Sequence, residues 1–179
     1  MSKVNILIPI AGKGQRFVDA DYAMPKQLIM VGDTQMIDLS LESIDNKDEC
    51  NLIFCIRRDH VSDYSLDTIL KQRYGDDIKI IILDKITRGS VETCLMAEDH
   101  INNNDPLLIY TLDVFFEPFF DPIKIDTSVD GTIITFKSNN NGYSYAKLDD
   151  NNLVTQTAEK EVISENAAVG VYTFSKGSD

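Results

Sequence analysis

The stretch from residue 6 to residue 26, ILIPIAGKGQRFVDADYAMPK, decides how the chain is read. It continues Val4-Asn5 into Ile6-Leu7-Ile8-Pro9-Ile10, an apolar run of strand length. The run is unbroken rather than alternating, which predicts a strand buried on both faces, as in a parallel sheet. Ala11-Gly12-Lys13-Gly14-Gln15-Arg16-Phe17 follows at once. Glycine lets a ligand approach backbone N–H groups closely and tolerates φ > 0, and successive N–H groups form an anion-binding concavity. Lys13 and Arg16 add full charges to that concavity, and Met24-Pro25-Lys26 brings a third cation on a turn stiffened by proline. A glycine loop with three cations behind a buried strand suggests a polyphosphate site. The paired glycines alone are weak evidence. They lack the third glycine of the dinucleotide-binding fingerprint and the terminal Gly-Lys-Ser/Thr of a P-loop.

Outward from this stretch, strands and helices alternate. Leu28-Ile29-Met30-Val31 is a short apolar piece closed by Gly32-Asp33, and Thr34 is placed to cap a helix through about Ser43. Residues 51–56 (NLIFCI), 79–83 (KIIIL) and 107–112 (LLIYTL) read as further buried strands. Helical spacing predicts a helix from Ser62 or Asp63 to about Tyr74, and another over residues 90–101. This alternation predicts a parallel α/β sheet. From Asp113 onward the texture changes to strand-like segments at 132–137, 144–148, 153–158 and 168–174, separated by Asn- and Asp-rich turns. These extend the parallel sheet into a mixed one.

A chain of 179 residues is read as one domain, long enough to bury a sizeable core. Its 43% hydrophobic content and lack of a long apolar run fit a soluble protein, and no signal-peptide pattern opens it, so a cytoplasmic location is expected. The formal net charge of −12 argues against nucleic-acid binding and against an anionic membrane surface. It leaves room for an anionic small substrate, because a few cations in one cleft dominate locally. Cys50, Cys55 and Cys94 are odd in number and lack metal-ligand spacing, and are expected to be reduced thiols.

Three further positions carry chemistry. Asp113 ends the fourth buried strand, and ligands collect at the carboxyl ends of strands in an open α/β sheet. An aspartate there either holds a divalent cation or caps the turn into Val114-Phe115-Phe116. Asp84-Lys85-Ile86-Thr87-Arg88-Gly89-Ser90 leads into a helix, with Gly89 permitting close approach and Ser90 placed to cap. Arg88 is either a substrate contact or a solvated surface residue. Ala158-Glu159-Lys160 follows a strand; its charged pair is either part of a site or an ordinary exposed pair.

The composite pattern resembles the sugar-nucleotide pyrophosphorylases, the nucleotidyltransferases that make activated sugars and related headgroups. The resemblance is carried by Ala11-Gly12-Lys13-Gly14-Gln15-Arg16-Phe17, Pro25-Lys26-Gln27-Leu28, Gly32 and Met36-Ile37. In the second half it is carried by Tyr143-Ser144-Tyr145-Ala146-Lys147-Leu148, Glu159-Lys160, Ile163-Ser164 and Ala168-Val169-Gly170-Val171-Tyr172. That order is similar to members linked to bacterial capsule and surface-polysaccharide synthesis. Two departures stand out: the family's Gly-Asp or Ser-Asp is Leu112-Asp113 here, and the proline after Glu-Lys is Glu161.

The resemblance implies a three-layer α/β/α nucleotide-diphospho-sugar transferase fold, Rossmann-like, with a mixed, mostly parallel sheet. It implies one nucleotidyltransferase domain over residues 1–179, truncated at its C-terminus relative to a family that continues to a second metal-binding aspartate. The implied reaction joins an NTP to a phosphorylated sugar or sugar-like acceptor and releases pyrophosphate, with pyrimidine nucleotides favoured. In it Arg16, Lys26 and Asp113 are catalytic, with Asp113 holding Mg²⁺. Ala11, Gly12, Lys13 and Gly14, with Thr87, Gly89 and Ser90, bind the nucleotide. Tyr145, Glu159 and Lys160 bind the acceptor. The partners implied are the NTP and a phosphorylated small molecule, without nucleic acid or membrane insertion, and a homo-oligomer is left open. Two other readings stand beside it: a non-catalytic nucleotide-binding scaffold lacking the C-terminal metal ligand, and a glycosyltransferase using an NDP-sugar, which a loop built for a triphosphate disfavours.

Overall fold

Asn5–Pro9 forms strand β1, in which Ile6, Leu7 and Ile8 are fully buried. Ile6 and Ile8 enter one hydrophobic cluster and Leu7 enters another, so both faces of β1 are covered. This is the outcome expected for an unbroken apolar run in a parallel strand. The structure is a computed structural model that describes residues 3–179. Met1 and Ser2, read above as a lead-in without a signal peptide, lie outside the described residues.

The chain continues through α1 (Gln15–Val18), β2 (Met30–Val31), β3 (Thr34–Gln35), α2 (Met36–Glu42), β4 (Asn51–Arg57), α3 (Arg58–Tyr64), α4 (Leu66–Tyr74) and β5 (Lys79–Leu83). Then come α5 (Ser90–Leu95), α6 (Glu98–Ile101), β6 (Leu107–Tyr110), β7 (Gly131–Lys137), β8 (Ser144–Leu148), β9 (Val154–Glu159) and β10 (Asn166–Phe174). The main sheet runs β5-β4-β1-β6-β10-β8-β9, with β7 paired to β10 outside that path. The pairs β4–β5, β1–β4 and β1–β6 are parallel, and every pair of β10 is antiparallel. Ile37 and Leu41 of α2 and Leu66 and Leu70 of α4 cover one face of the sheet; Cys94, Ala97 and Ile101 cover the other. This is the α/β nucleotide-diphospho-sugar transferase architecture, with helices on both faces of a mixed sheet that is parallel from β5 to β6 and antiparallel from β10 onward.

Local predictions shift in four places. The helix expected from Ser62 or Asp63 starts at Arg58 and is divided at Ser65, whose φ of 53° is left-handed. The helix expected over 90–101 is divided between Leu95 and Glu98. Thr34 caps nothing: it lies in β3, and α2 starts after Gln35 without a side-chain cap. The short apolar piece from Leu28 to Val31 is not a single element: Leu28 closes a 3-10 turn over Lys26–Leu28, and β2 holds only Met30–Val31.

The topology fixes where a ligand can sit. From β1 the chain goes first to β4 and β5 on one side, then returns to β6 on the other. The carboxyl ends of β1 and β6 therefore border the crevice at a topological switch point, the usual ligand position in an open α/β sheet. Among the described residues, no helix is long and apolar enough to cross a membrane.

Candidate active site

β1 delivers Gly12, Lys13 and Gly14 to this crevice. The backbone N–H of Ile10 still bonds the carbonyl of Cys55 at 2.9 Å, so the chain leaves the sheet only at Ala11, which is buried. Gly14 has φ 62°, in the left-handed region, and its carbonyl accepts from the N–H of Phe17 at 2.8 Å, starting α1. That conformation favours glycine. A Cβ on Gly12 would meet nothing within 4 Å, so the value of that glycine lies in leaving the backbone open to a ligand. Lys13 is exposed, and α1 aims Arg16 outward with its side chain 90% exposed.

The carboxylate facing this loop belongs to Asp113. Its Oδ1 lies 3.6 Å from Lys26 Nζ and its Oδ2 lies 4.0 Å from Arg16 Nη2. These are charge contacts longer than hydrogen bonds. Exposed pairs of this kind contribute roughly 1 kcal/mol or less to stability, so the cluster does little for the fold and its members can change partners. Asp113 is steadied from behind. The buried Tyr110 hydroxyl lies 3.0 Å from the Val114 carbonyl and 3.1 Å from the Ser40 carbonyl, and Ser40 Oγ donates to the Val114 carbonyl at 2.8 Å. Burial raises the Tyr110 pKa, so the hydroxyl stays neutral and able to donate. On the other side Gly170, with φ 88°, lies so close to Thr111 that a Cβ there would stand 2.4 Å from Thr111 Oγ1. A glycine on the neighbouring strand thus makes room for Thr111, two residues before Asp113.

The residues present fit Mg²⁺ in one mode only. Among the described residues no group of three or more His, Cys, Asp or Glu side chains could hold a metal. Asp113 offers a single carboxylate, exposed to the crevice. Mg²⁺ is often held by one or two carboxylates together with substrate phosphates and water, and Asp113 beside an open glycine loop flanked by cations matches that mode.

The segment before α5 is arranged differently from its expectation. Gly89 is fully extended, at φ 177° and ψ −179°, a conformation open to any residue. α5 has Gly89 rather than Ser90 at its N-cap position, with no side-chain cap. Thr87 Oγ1 is 2.6 Å from Thr93 Oγ1 and donates to the Gly89 carbonyl at 3.2 Å, so it braces its own turn. Ser90 and Gly89 are exposed. Arg88 pairs with Glu92 at 3.3 Å and is 91% exposed, which makes it a solvated surface residue.

The residues expected on the acceptor side gather at the β8–β9 hairpin. A cavity of about 250 Å³ is lined by Ser144, Tyr145, Thr157, Glu159 and Tyr172, among others. Tyr145 is 1% exposed and its hydroxyl donates to the Asn140 carbonyl at 2.8 Å, so it shapes the cavity wall from the core. Ser144 Oγ donates to Glu159. Lys160 has φ 55°, left-handed for a residue with a Cβ, and its N–H donates to the Tyr143 carbonyl at 3.1 Å. Strain of this kind collects at functional positions. β10 ties hairpin to crevice: Ala167 pairs with Tyr145, and three residues later Gly170 lies against Thr111.

Reading the sequence missed the support behind Lys26. Gln27 is 1% exposed, and its Nε2 lies 2.9 Å from His60 Nδ1. Tyr64 donates from its hydroxyl to the Ala23 carbonyl at 2.5 Å. The available signal was Gln27 itself, a polar residue next to the buried pair Leu28-Ile29. The thiols are as expected: all three cysteines are free and buried. Burial pushes Cys55 up to about 12 and Cys50 and Cys94 up to about 11, which keeps them protonated and inert.

Comparison with known proteins agrees with this fold. A nucleoside-diphosphate-sugar pyrophosphorylase from Vibrio cholerae superposes with a TM-score of 0.79 at 25% identity, over 96% of this chain and 73% of that one. Two more distant structures share the fold. A Bacillus anthracis protein assigned as a glucose-1-phosphate thymidylyltransferase has a TM-score of 0.79 at 20% identity, over 98% of this chain and 71% of that one. A UDP-glucose pyrophosphorylase complexed with UDP-glucose has a TM-score of 0.70 at 18% identity, over 98% of this chain and 76% of that one. A comparison with curated proteins finds no match. The family model for nucleotidyl transferases matches residues 6–178, from the first buried strand to the residue before the last, and the protein belongs to that family.

Proposed function

We propose that residues 1–179 act as one nucleotidyltransferase domain that transfers a nucleoside monophosphate from an NTP to a phosphorylated sugar or sugar-like acceptor. Pyrophosphate is the second product, and the activated sugar feeds cell-surface polysaccharide synthesis in the cytoplasm. The observation that carries the reading is the cluster at the switch point. Two cations from the glycine-loop side, Arg16 and Lys26, converge on one strand-end carboxylate, Asp113. The surface-polysaccharide assignment rests on the likeness of residues 143–172 to that branch.

An oxygen of the acceptor phosphate attacks the α-phosphorus in line. The bond to the oxygen bridging α- and β-phosphorus breaks, and its electron pair leaves with pyrophosphate. The acceptor phosphate is already ionised near neutral pH, so no general base is needed. Such a reaction depends on positioning and charge neutralisation. Gly12, Lys13 and Gly14 cradle the triphosphate, with Ala11 beside the base and Thr87, Gly89 and Ser90 along the base and ribose. Arg16 takes the β- and γ-phosphates in its planar fork. Lys26 stands between the α-phosphate and the attacking oxygen. Asp113 would hold Mg²⁺, which when bound neutralises phosphate charge as a Lewis acid. Glu159 and the cavity under Tyr145 take acceptor hydroxyls, and Lys160 takes the acceptor phosphate. In the free protein the two cations rest on Asp113; with substrate present they have phosphates to turn to.

The test is a pyrophosphate-release assay with CTP, UTP, GTP and dTTP against a panel of sugar phosphates, with Mg²⁺ present. Turnover with one base and one acceptor is expected. Tight NTP binding without turnover on any acceptor would instead identify a nucleotide-binding scaffold.

A further inference from the structure

Helix α3 contacts the turn that carries Lys26 at two points. His60, in the first turn of α3, is 6% exposed and meets Gln27 across 33 residues of chain. An amide nitrogen can only donate, so His60 Nδ1 accepts and the ring carries its proton on Nε2. Burial and the nearby Arg57 hold the imidazole below the usual histidine range, which leaves Nδ1 free to accept at neutral pH. One turn later, the Tyr64 hydroxyl bonds the Ala23 carbonyl. Lys26 lies inside the bracket made by these two contacts. A cavity of about 170 Å³ separates the turn from α3, bordered by Lys26, His60 and Tyr64 among others. Lys13 and Gly14 of the glycine loop border the same cavity, so close packing is missing along part of this boundary. The two side-chain hydrogen bonds supplement the backbone bonds and the buried Leu28 and Ile29 that hold the turn from its other side. α3 is itself rigidly placed, since it follows directly from β4, which pairs with β1 from Asn51 to Cys55.

We infer that α3 sets the position of the Lys26 ammonium, with His60 acting through Gln27 as the main positioning residue and Tyr64 as the second. The inference rests on the assignment of Lys26 to the α-phosphate made above. Neither His60 nor Tyr64 touches substrate in this scheme. Their effect comes through the backbone of residues 23–27, and displacing a positioning group by about 1 Å lowers turnover by up to about 10²-fold.

The experiment compares the native chain with the double variant His60→Leu/Gln27→Leu. Replacing both partners of a buried hydrogen bond by apolar groups is close to neutral for stability. The melting temperature should therefore stay near native. Hydrogen–deuterium exchange of the peptide spanning residues 22–29 should rise about fivefold while the β4 peptide stays protected. Turnover should fall by on the order of 10-fold, with NTP affinity within about threefold of native. His60→Asn puts an acceptor oxygen near the place of Nδ1 and should recover most of both losses. Tyr64→Phe removes one partly exposed hydroxyl, leaves the core untouched, and should raise exchange in the same peptide; it decides the question if the double variant does not fold. Unchanged exchange at residues 22–29 overturns the inference. So does raised exchange with undiminished turnover in an active enzyme. If the native chain turns over no NTP, the proposed function fails, and the exchange results alone decide whether α3 clamps the turn.

Discussion

Lys26 Nζ stands 3.6 Å from Asp113 Oδ1, joining the turn after the glycine loop to the carboxyl end of β6. The lysine is three-quarters buried and the aspartate two-fifths exposed, so the pair sits at the mouth of the crevice rather than in the core. Its value is as a preset charge arrangement. Asp113→Asn keeps the shape and removes the charge. It should abolish Mg²⁺-dependent turnover and leave the melting temperature within a few degrees, because the aspartate stays open to solvent and its contacts are longer than hydrogen bonds, which limits the pair to roughly 1 kcal/mol. Calorimetric titration of NTP with and without Mg²⁺ checks this: the metal's effect on NTP affinity should disappear in the variant. A pure turn-capping role for Asp113 predicts normal turnover instead.

Arg16 should matter more to turnover than to binding. Negative charge builds on the leaving pyrophosphate as the P–O bond breaks, and in the proposed function the Arg16 guanidinium is assigned to the β- and γ-phosphates. Arg16→Ala should lower kcat on the order of 10²-fold, the usual loss for one electrostatic stabiliser. NTP affinity should fall less, because the loop N–H groups and Lys13 remain. Arg16→Lys should recover only part, since lysine lacks the planar fork. Pyrophosphate release at saturating NTP measures all three. If Arg16 is only a solvated loop residue, both variants stay within about twofold of native.

Lys160 tests the acceptor side. Its left-handed backbone, φ 55°, is held by the bond to the Tyr143 carbonyl. Lys160→Ala should raise the acceptor KM or lower kcat while leaving NTP affinity nearly unchanged. Equal losses for both ligands contradict the assignment. Lys160→Gly keeps the backbone conformation without the charge and should show the same acceptor defect with slightly higher stability, since glycine adopts φ > 0 without strain.

The contact between β10 and the strand end before Asp113 gives a stability prediction. Gly170→Ala places a Cβ 2.4 Å from Thr111 Oγ1 at a backbone φ of 88°. Clash and conformational strain together should destabilise by about 1–3 kcal/mol, and turnover should fall with them because Thr111 is two residues from Asp113. Adding Thr111→Ala removes the colliding hydroxyl and methyl and should restore part of both. Urea unfolding and initial rates on the single and double variants check the coupling.

His60 predicts how stability depends on pH. Its folded-state pKa is depressed, first by burial and then by Arg57, with Asp59 and Asp63 opposing. Lys13, Lys26, Tyr22 and Tyr64 border the same cavity. A depressed histidine means that the unfolded chain binds more protons, so stability rises with pH in that window. The contribution is fully present above the unfolded value of about 6.5 and is lost as pH falls through the folded value. Urea midpoints from pH 7.5 down to 5 should decline more steeply for the native chain than for His60→Asn. Equal slopes would show that the imidazole is not held neutral by the fold.

The sequence by itself determined the buried parallel core, the glycine loop and the types of side chain that line the crevice. These are local properties. An unbroken apolar run such as Ile6-Leu7-Ile8 is compatible with burial on both faces, and glycine beside lysine and arginine has the same chemistry wherever the chain goes. The alternation of strands and helices was legible for the same reason. Only the tertiary structure decided which of these residues meet. Lys26 reaches Asp113, His60 reaches Gln27 and Gly170 makes room for Thr111 because of the β1–β6 and β6–β10 pairings and the path of α3. Helical periodicity also carried no sign of the left-handed break at Ser65. Periodicity records which side of an element is apolar. It does not record strand order or register, and contacts between residues dozens of positions apart depend on both.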